Sequence, residues 1–252
     1  MSVPQHIVST DDLRVTYLQV RRAIHALDGV TMQIPAGQAV VIVGRNGSGK
    51  STLLGVLANR IAATGGSAFI SGVSVERLPS DELAKAVFFV QQDPLAGTVG
   101  TMTVFENLLL ADARSEPRRR PDREEMYRDL LRPLGLEGRL DQQAATLSPG
   151  ERQALAILFA GLRPAKVVLL DEPLAALDDA NVDLCRMLIA DVKRMGKTLL
   201  IVTHDLPQIQ SIADRVLTLN AGRIISDTLA APSLQCLPQQ NSRRLPTTSP
   251  NG

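Results

Sequence analysis

Cysteine, net charge and long apolar runs are all scarce in this sequence. Two cysteines, Cys185 and Cys236, stand far apart in 252 residues and form no CxxC pattern. They read as reduced thiols, with neither a disulfide framework nor a cysteine metal site. Lys plus Arg (27) barely exceeds Asp plus Glu (26), for a formal net charge of +1, so no general basic surface points to nucleic acid. The longest apolar stretches, such as AVVIV and VVLL, fall far short of the ~20 residues that cross a bilayer. Work at a membrane is therefore expected from outside the lipid. The opening MSVPQHIVST has no basic region followed by an apolar core, and no secretory signal is expected there. Tryptophan is absent and aromatics total 3%, which leaves few rings for stacking.

Hydrophobic residues at 44% and charged residues at 21% describe a folded chain, long enough to bury a substantial core. Short apolar runs alternate with longer helical patterns, which predicts an α/β fold with buried parallel strands. Four runs suit the central sheet: AVVIVG, AVFFVQ, KVVLLDE and TLLIVTH. Each ends in a polar residue or glycine, at the strand ends where ligands sit in open α/β sheets. Near the N-terminus, LRVTYLQV, HALDGVTMQI and GSAFISGVSV alternate as in a small antiparallel sheet. Residues 98–160 read as mostly helical, interrupted by the charged run RSEPRRRPDREE. That run reads as a solvated loop and helix start; the other reading sets Arg118, Arg119 and Arg120 against anionic lipid or a partner. After Asp227 the pattern fades into a tail rich in Pro, Ser, Thr and Gln, expected to be mobile.

GRNGSGKS, Gly44 to Ser51, fits G-x-x-x-x-G-K-[ST] between an apolar run and the helical TLLGVLANRI, the strand–loop–helix context of a phosphate-binding loop. Glycines let successive backbone N–H groups approach phosphate closely, and the helix N-terminus that follows favours anions. Lys50 supplies a charge at the β- and γ-phosphates, and the Ser51 hydroxyl is a Mg²⁺ ligand. KVVLLDEP then ends in Asp171 and Glu172. Strand alternation is expected to aim the two carboxylates differently. Asp171 is assigned to Mg²⁺, and Glu172 to general-base activation of the water attacking the γ-phosphate. His204 ends TLLIVTH, and Gln91 and Gln92 end a third strand, on the edge where phosphates would lie.

LSPGE, Leu147 to Glu151, reads locally as a helix start with Ser148 as N-cap, Pro149 at the first helical position and Glu151 closing a capping box. In this order the pieces resemble the ATP-binding subunit of an ABC transporter over residues 10–228. The resemblance implies a P-loop NTPase fold: a RecA-like core sheet, an N-terminal antiparallel β-subdomain and a helical signature subdomain at about 95–160. The ATPase domain would span 8–228, with 229–252 as a tail. It makes Gly44, Arg45, Asn46, Gly47, Ser48, Gly49, Lys50, Ser51 and Thr52 the Walker A segment and Gln92 the Q-loop glutamine, which joins Ser51 and Asp171 as a Mg²⁺ ligand. Asp178 becomes the D-loop aspartate, His204 the switch histidine, and Tyr17 the ring that stacks on adenine. LSPGE resembles the signature LSGGQ with two departures, Pro149 for glycine and Glu151 for glutamine. Proline cannot donate, so Ser148 and Gly150 remain as the groups that reach ATP held by a second subunit.

By the same resemblance, the chain would bind ATP and Mg²⁺ and act as a homodimer or with a paralogous ATPase subunit. Membrane permease subunits would dock near Gln92–Leu110, on the cytoplasmic side of the bacterial inner membrane. QDPLAGTVGTMTVFENLLLA, Gln92 to Ala111, is similar to import ATPases that serve permeases for tryptophan, tyrosine or related small organic solutes. That implies an importer with an extracytoplasmic substrate-binding protein; the alternatives are an exporter subunit or a soluble, non-transport ABC ATPase. Those soluble proteins carry paired ATPase domains or a long coiled-coil insertion, neither of which is seen here. A third reading is a GTP switch protein sharing the P-loop; no NKxD motif is present, and the signature resemblance argues against it.

Overall fold

The computed structural model describes residues 6–19, 22–112 and 120–230. A long hairpin, β1 (Val8–Gln19) and β2 (Arg22–Ile34), leads into β3 (Ala39–Val43). Helix α1 (Lys50–Leu57) follows, then β4 (Gly65–Ile70), β5 (Val73–Ser74), α2 (Ser80–Ala86) and β6 (Val87–Val90). Next come three helices, α3 (Val104–Ala111), α4 (Arg120–Leu131) and α5 (Pro149–Leu162). The chain then runs through β7 (Val167–Asp171), α6 (Asp179–Arg194), β8 (Thr198–Thr203), α7 (Leu206–Ile209), β9 (Arg215–Asn220) and β10 (Arg223–Leu229).

Two sheets organise these elements. An antiparallel sheet in the order β2-β1-β4-β5 is the expected N-terminal subdomain. A six-stranded sheet in the order β10-β9-β3-β8-β7-β6 is parallel from β9 to β6, and β10 pairs antiparallel at its edge. The four runs singled out from sequence are β3, β6, β7 and β8.

Their unbroken apolar character follows from burial on both faces. Side chains alternate across a strand. Val41, Val168, Leu170, Leu199 and Ile201 therefore enter one core with helices α3 to α6. Val40, Ile42, Val167, Leu169, Leu200 and Val202 enter the other, with α1 and the antiparallel sheet. Because β3, β6, β7 and β8 run in one direction, their carboxyl ends share one edge, where the motif residues sit.

The β9–β10 hairpin is a feature that the sequence pattern does not separate. Its signal is the turn between Asn220 and Arg223, where Ala221 has φ +45° and Gly222 φ +77°, a backbone that suits a tight hairpin. The turn props the site: Gly222 N–H donates to Ser48 O at 3.0 Å, and Asp28 N–H donates to Gly222 O at 2.9 Å. β10 runs to Leu229, one residue past the domain end expected from sequence; residues 231–252, with Cys236, lie outside the described residues. Cys185 is buried, and burial pushes its thiol up to about 12, as befits an inert core thiol.

Of the charged run, Arg118 and Arg119 lie outside the described residues. Arg120 opens α4, pairs with Glu124 at 2.8 Å and lies over the Phe105 ring at 4.8 Å. Its charge is engaged within the helical region.

Candidate functional site

The phosphate loop joins β3 to α1. Gly47 and Gly49 have φ of +78° and +103°, and a Cβ on Gly49 would stand 2.2 Å from Ala26 O. Only glycine meets both demands there. Gly49 is also the N-cap of α1, and no side chain caps the helix. Its first N–H groups are thus left for a ligand. Lys50 is buried, and its ammonium donates to Gly44 O at 2.8 Å and Arg45 O at 3.2 Å.

At the end of β7, the buried Asp171 accepts from Ser51 Oγ at 3.1 Å. Burial pushes its carboxyl above the usual range and the neighbouring Glu172 charge adds to this, while the Ser51 hydrogen bond and Lys50 oppose it. β7 stops there. Glu172 has φ +47°, so a left-handed turn, and not the strand alternation expected from sequence, separates the two carboxylates. Glu172 N–H donates to Val202 O at 2.9 Å. Its Oε2 lies 2.9 Å from His204 Nδ1. The carboxylate is largely buried and the imidazole largely exposed, and with the carboxylate as acceptor the ring carries its hydrogen on Nδ1.

A cleft of about 470 Å³ gathers most of the predicted residues: Tyr17, Asn46, Gly47, Ser48, Gly49, Lys50, Ser51, Thr52, Gln92, Glu172 and His204. Ile24 and Ala26 also line it and are absent from the sequence-based expectation; Ile24 pairs with Tyr17 across the β1–β2 hairpin, a register the sequence alone does not disclose. Asp171 lines an adjoining hollow with Gln91, Gln92 and Asp93. Gly44 and Arg45 do not line the cleft; their carbonyls hold Lys50, and Arg45 O also accepts from Ser48 N–H at 3.1 Å.

Ser148, Gly150 and Asp178 do not line the cleft. They form a second cluster. Ser148 N-caps α5 through the full capping box: Glu151 N–H donates to Ser148 Oγ at 3.2 Å, and Ser148 N–H donates to Glu151 Oε2 at 2.8 Å. Gly150 abuts Asn181, whose side chain a Cβ would approach to 2.6 Å. Asn181 N–H in turn donates to Asp178 Oδ1 at 2.9 Å, and hydrogen bonds from the Asn181 backbone, then its side chain, hold the Asp178 carboxyl below its ordinary value.

The chemistry of the cleft fits a nucleotide and a divalent cation. The Ser48 hydroxyl is buried without a partner, and the desolvated Asp171 carboxylate beside a serine hydroxyl suits a hard cation that keeps part of its water. Among the described residues no cluster of three or more His, Cys, Asp or Glu is placed to hold a metal, which leaves this mixed oxygen set as the candidate.

A strand–glycine loop–helix phosphate site at the carboxyl edge of a parallel sheet, with an acidic strand end beside it, defines a P-loop ATPase cassette. The chain belongs to the ABC transporter family, whose model matches residues 27–175. It is 32% identical over 249 residues to the macrolide export ATP-binding/permease protein MacB of Vibrio parahaemolyticus, covering 96% of this chain and 37% of that protein. The MacB of Shewanella sp. (strain ANA-3) is 34% identical over 230 residues, covering 86% of this chain and 34% of its own length. The chain thus spans about a third of these relatives. A solved ATP-binding cassette, dimeric in a post-hydrolysis state with ADP and Pi, superimposes with a TM-score of 0.77 at 27% identity, over 90% of this chain and 100% of its own.

The MacB relatives are named for export. The expectation of an importer for tryptophan- or tyrosine-type solutes, drawn from the segment after Gln92, finds no counterpart among them. Among the described residues no helix is long and apolar enough to cross a membrane.

Proposed function

We propose that this chain is the ATP-hydrolysing cassette of an export-type ABC transporter and works as a homodimer with two composite sites. The carrying observation is the split of the predicted residues: phosphate loop, Glu172 and His204 share one cleft, while Ser148, Gly150 and Asp178 cluster outside it. One copy offers half of two sites. Head-to-tail pairing would set Ser148 and Gly150 of one copy against the γ-phosphate held by the other.

In this reading Tyr17 carries the adenine ring, and the uncapped N-terminus of α1 receives the phosphates. Lys50 exchanges its loop carbonyls for phosphate oxygens. Ser51, Asp171 and Gln92 would hold Mg²⁺, which when bound neutralises phosphate charge. Glu172 takes a proton from the attacking water, and His204 orients the Glu172 carboxylate through their shared hydrogen bond.

The membrane permease would meet the segment Gln92–Leu110, where Leu95, Val99, Leu109 and Leu110 are exposed, placing the cassette on the cytoplasmic face of a bacterial inner membrane. Export is supported by the names of the relatives. An extracytoplasmic substrate-binding protein belongs to the import expectation and is not part of this reading.

The test is Glu172→Gln in the full chain. With ATP and Mg²⁺ it is expected to lose hydrolysis by about 10²–10⁴-fold, the usual worth of a general base, and to elute at twice the monomer mass. Undiminished turnover would reject Glu172 as the base, and a monomer at saturating ATP would reject the pairing.

A further inference from the structure

The signature helix carries a charge that its proposed task does not want. Glu151 follows Gly150 directly and places a full carboxylate beside the surface that, on the paired-cassette reading above, meets a γ-phosphate. Both its oxygens are occupied. Oε2 accepts from Ser148 N–H at 2.8 Å, and Oε1 accepts from Arg139 Nη1 at 3.1 Å. Arg139 comes from the loop after α4, where its own N–H donates to Leu136 O. That loop is pinned by the buried Leu136 and Leu140. The guanidinium is thereby presented from an anchored backbone to a half-buried carboxylate.

The capping box sets the direction of the Ser148 hydroxyl. Its oxygen accepts from Glu151 N–H, and it donates to none of the described residues. The hydroxyl hydrogen is available for an incoming anion. Anything that frees the Glu151 carboxylate would turn this surface against phosphate twice, by unbalanced charge and by loss of the hydrogen bond that the carboxylate accepts from Ser148 N–H.

We propose that Arg139 is a positioning residue of the composite site. It neutralises Glu151 beside the partner's γ-phosphate and keeps that carboxylate on Ser148 N–H, turned away from the face where the Ser148 hydroxyl is left to donate. The inference rests on the paired-cassette reading. Glutamate at position 151 is compatible with phosphate because Arg139 answers it.

The experiment compares ATP hydrolysis by the full chain carrying Arg139→Ala, Arg139→Lys, Ser148→Ala, or the double change Arg139→Ala with Glu151→Gln. Arg139→Ala is expected to raise KM for ATP roughly tenfold with kcat little changed, as an unbalanced charge near an anion would. The defect should shrink as salt rises from about 0.05 M to about 0.3 M. Arg139→Lys keeps the charge and should hold KM within about twofold of wild type, and the double variant should recover it, because no carboxylate remains to be answered. An unchanged KM in Arg139→Ala overturns the assignment. So does a double variant as impaired as Arg139→Ala, since Arg139 would then serve only the fold. If Ser148→Ala lowers hydrolysis while Arg139→Ala does nothing, Arg139 alone is misassigned; if Ser148→Ala is also silent, the pairing itself fails.

Discussion

The Glu172 carboxylate and the His204 imidazole meet at 2.9 Å, although they follow two different strands and one is largely buried while the other is largely exposed. The left-handed backbone at Glu172, φ +47°, makes the meeting possible by turning the residue out of the path of β7. A non-glycine residue in this region costs on the order of 1–3 kcal/mol, a cost concentrated at functional positions. His204→Ala should therefore lower kcat about 10²-fold, the low end for losing an acid–base partner, with ATP affinity little altered. Equilibrium binding of a fluorescent ATP analogue beside a turnover assay separates the two; a loss of binding equal to the loss of rate would make His204 a nucleotide-binding group only.

Asp171 is held against its own charge. Burial raises its carboxyl pKa above the unfolded value, so the folded state binds the proton more tightly than the unfolded one. Stability must then fall as pH rises from the unfolded pKa through the folded one, and at neutral pH the ionised form is a net cost. Asp171→Asn is expected to raise the melting temperature of the nucleotide-free chain, because the neutral amide removes the charge that burial disfavours. Hydrolysis should be lost in the same variant. Scanning calorimetry without nucleotide checks it, and a lowered melting temperature would mean that the Ser51–Asp171 hydrogen bond outweighs desolvation.

Pro149 occupies the first turn of α5, where its missing N–H is not required and its φ is already helical. Pro149→Gly should keep ATP turnover within about twofold while costing roughly 1 kcal/mol of stability through the freer unfolded chain. Urea denaturation alongside the turnover assay reads both, and complete loss of turnover would assign the proline a direct part in the site.

Much of the candidate site's edge is legible in the amino-acid sequence because β3, β7 and β8 are buried on both faces. Their residues Val40, Leu169 and Leu200, and the neighbours on the opposite face, form unbroken apolar runs that make the terminal Asp171 and His204 conspicuous. The glycine pattern of the phosphate loop is legible for a related reason: close backbone approach, as of Gly49 to Ala26 O, leaves no other residue type.

What is not legible depends on contacts between distant segments. Ile24 and Ala26 line the cleft through hairpin register, Gly150 meets Asn181 across two helices, and Arg139 finds Glu151 from a loop. Local sequence also misjudges how Asp171 and Glu172 part, since a backbone turn replaces the expected alternation. The segment after Gln92 suggests import, whereas the relatives are named for export; the exposed apolar side chains there suit a docking surface and carry no direction of transport.

The central claim is that one copy supplies the phosphate loop and the other the signature. Two inactive chains test it directly: Lys50→Ala, with a broken phosphate loop, and Ser148→Arg, with a blocked signature. Each alone should hydrolyse little ATP. Mixed in equal amounts they should recover roughly a quarter of the wild-type rate per chain, because half of randomly paired dimers are mixed and each of these has one whole site. No recovery on mixing, with both variants folded and paired, would contradict the account.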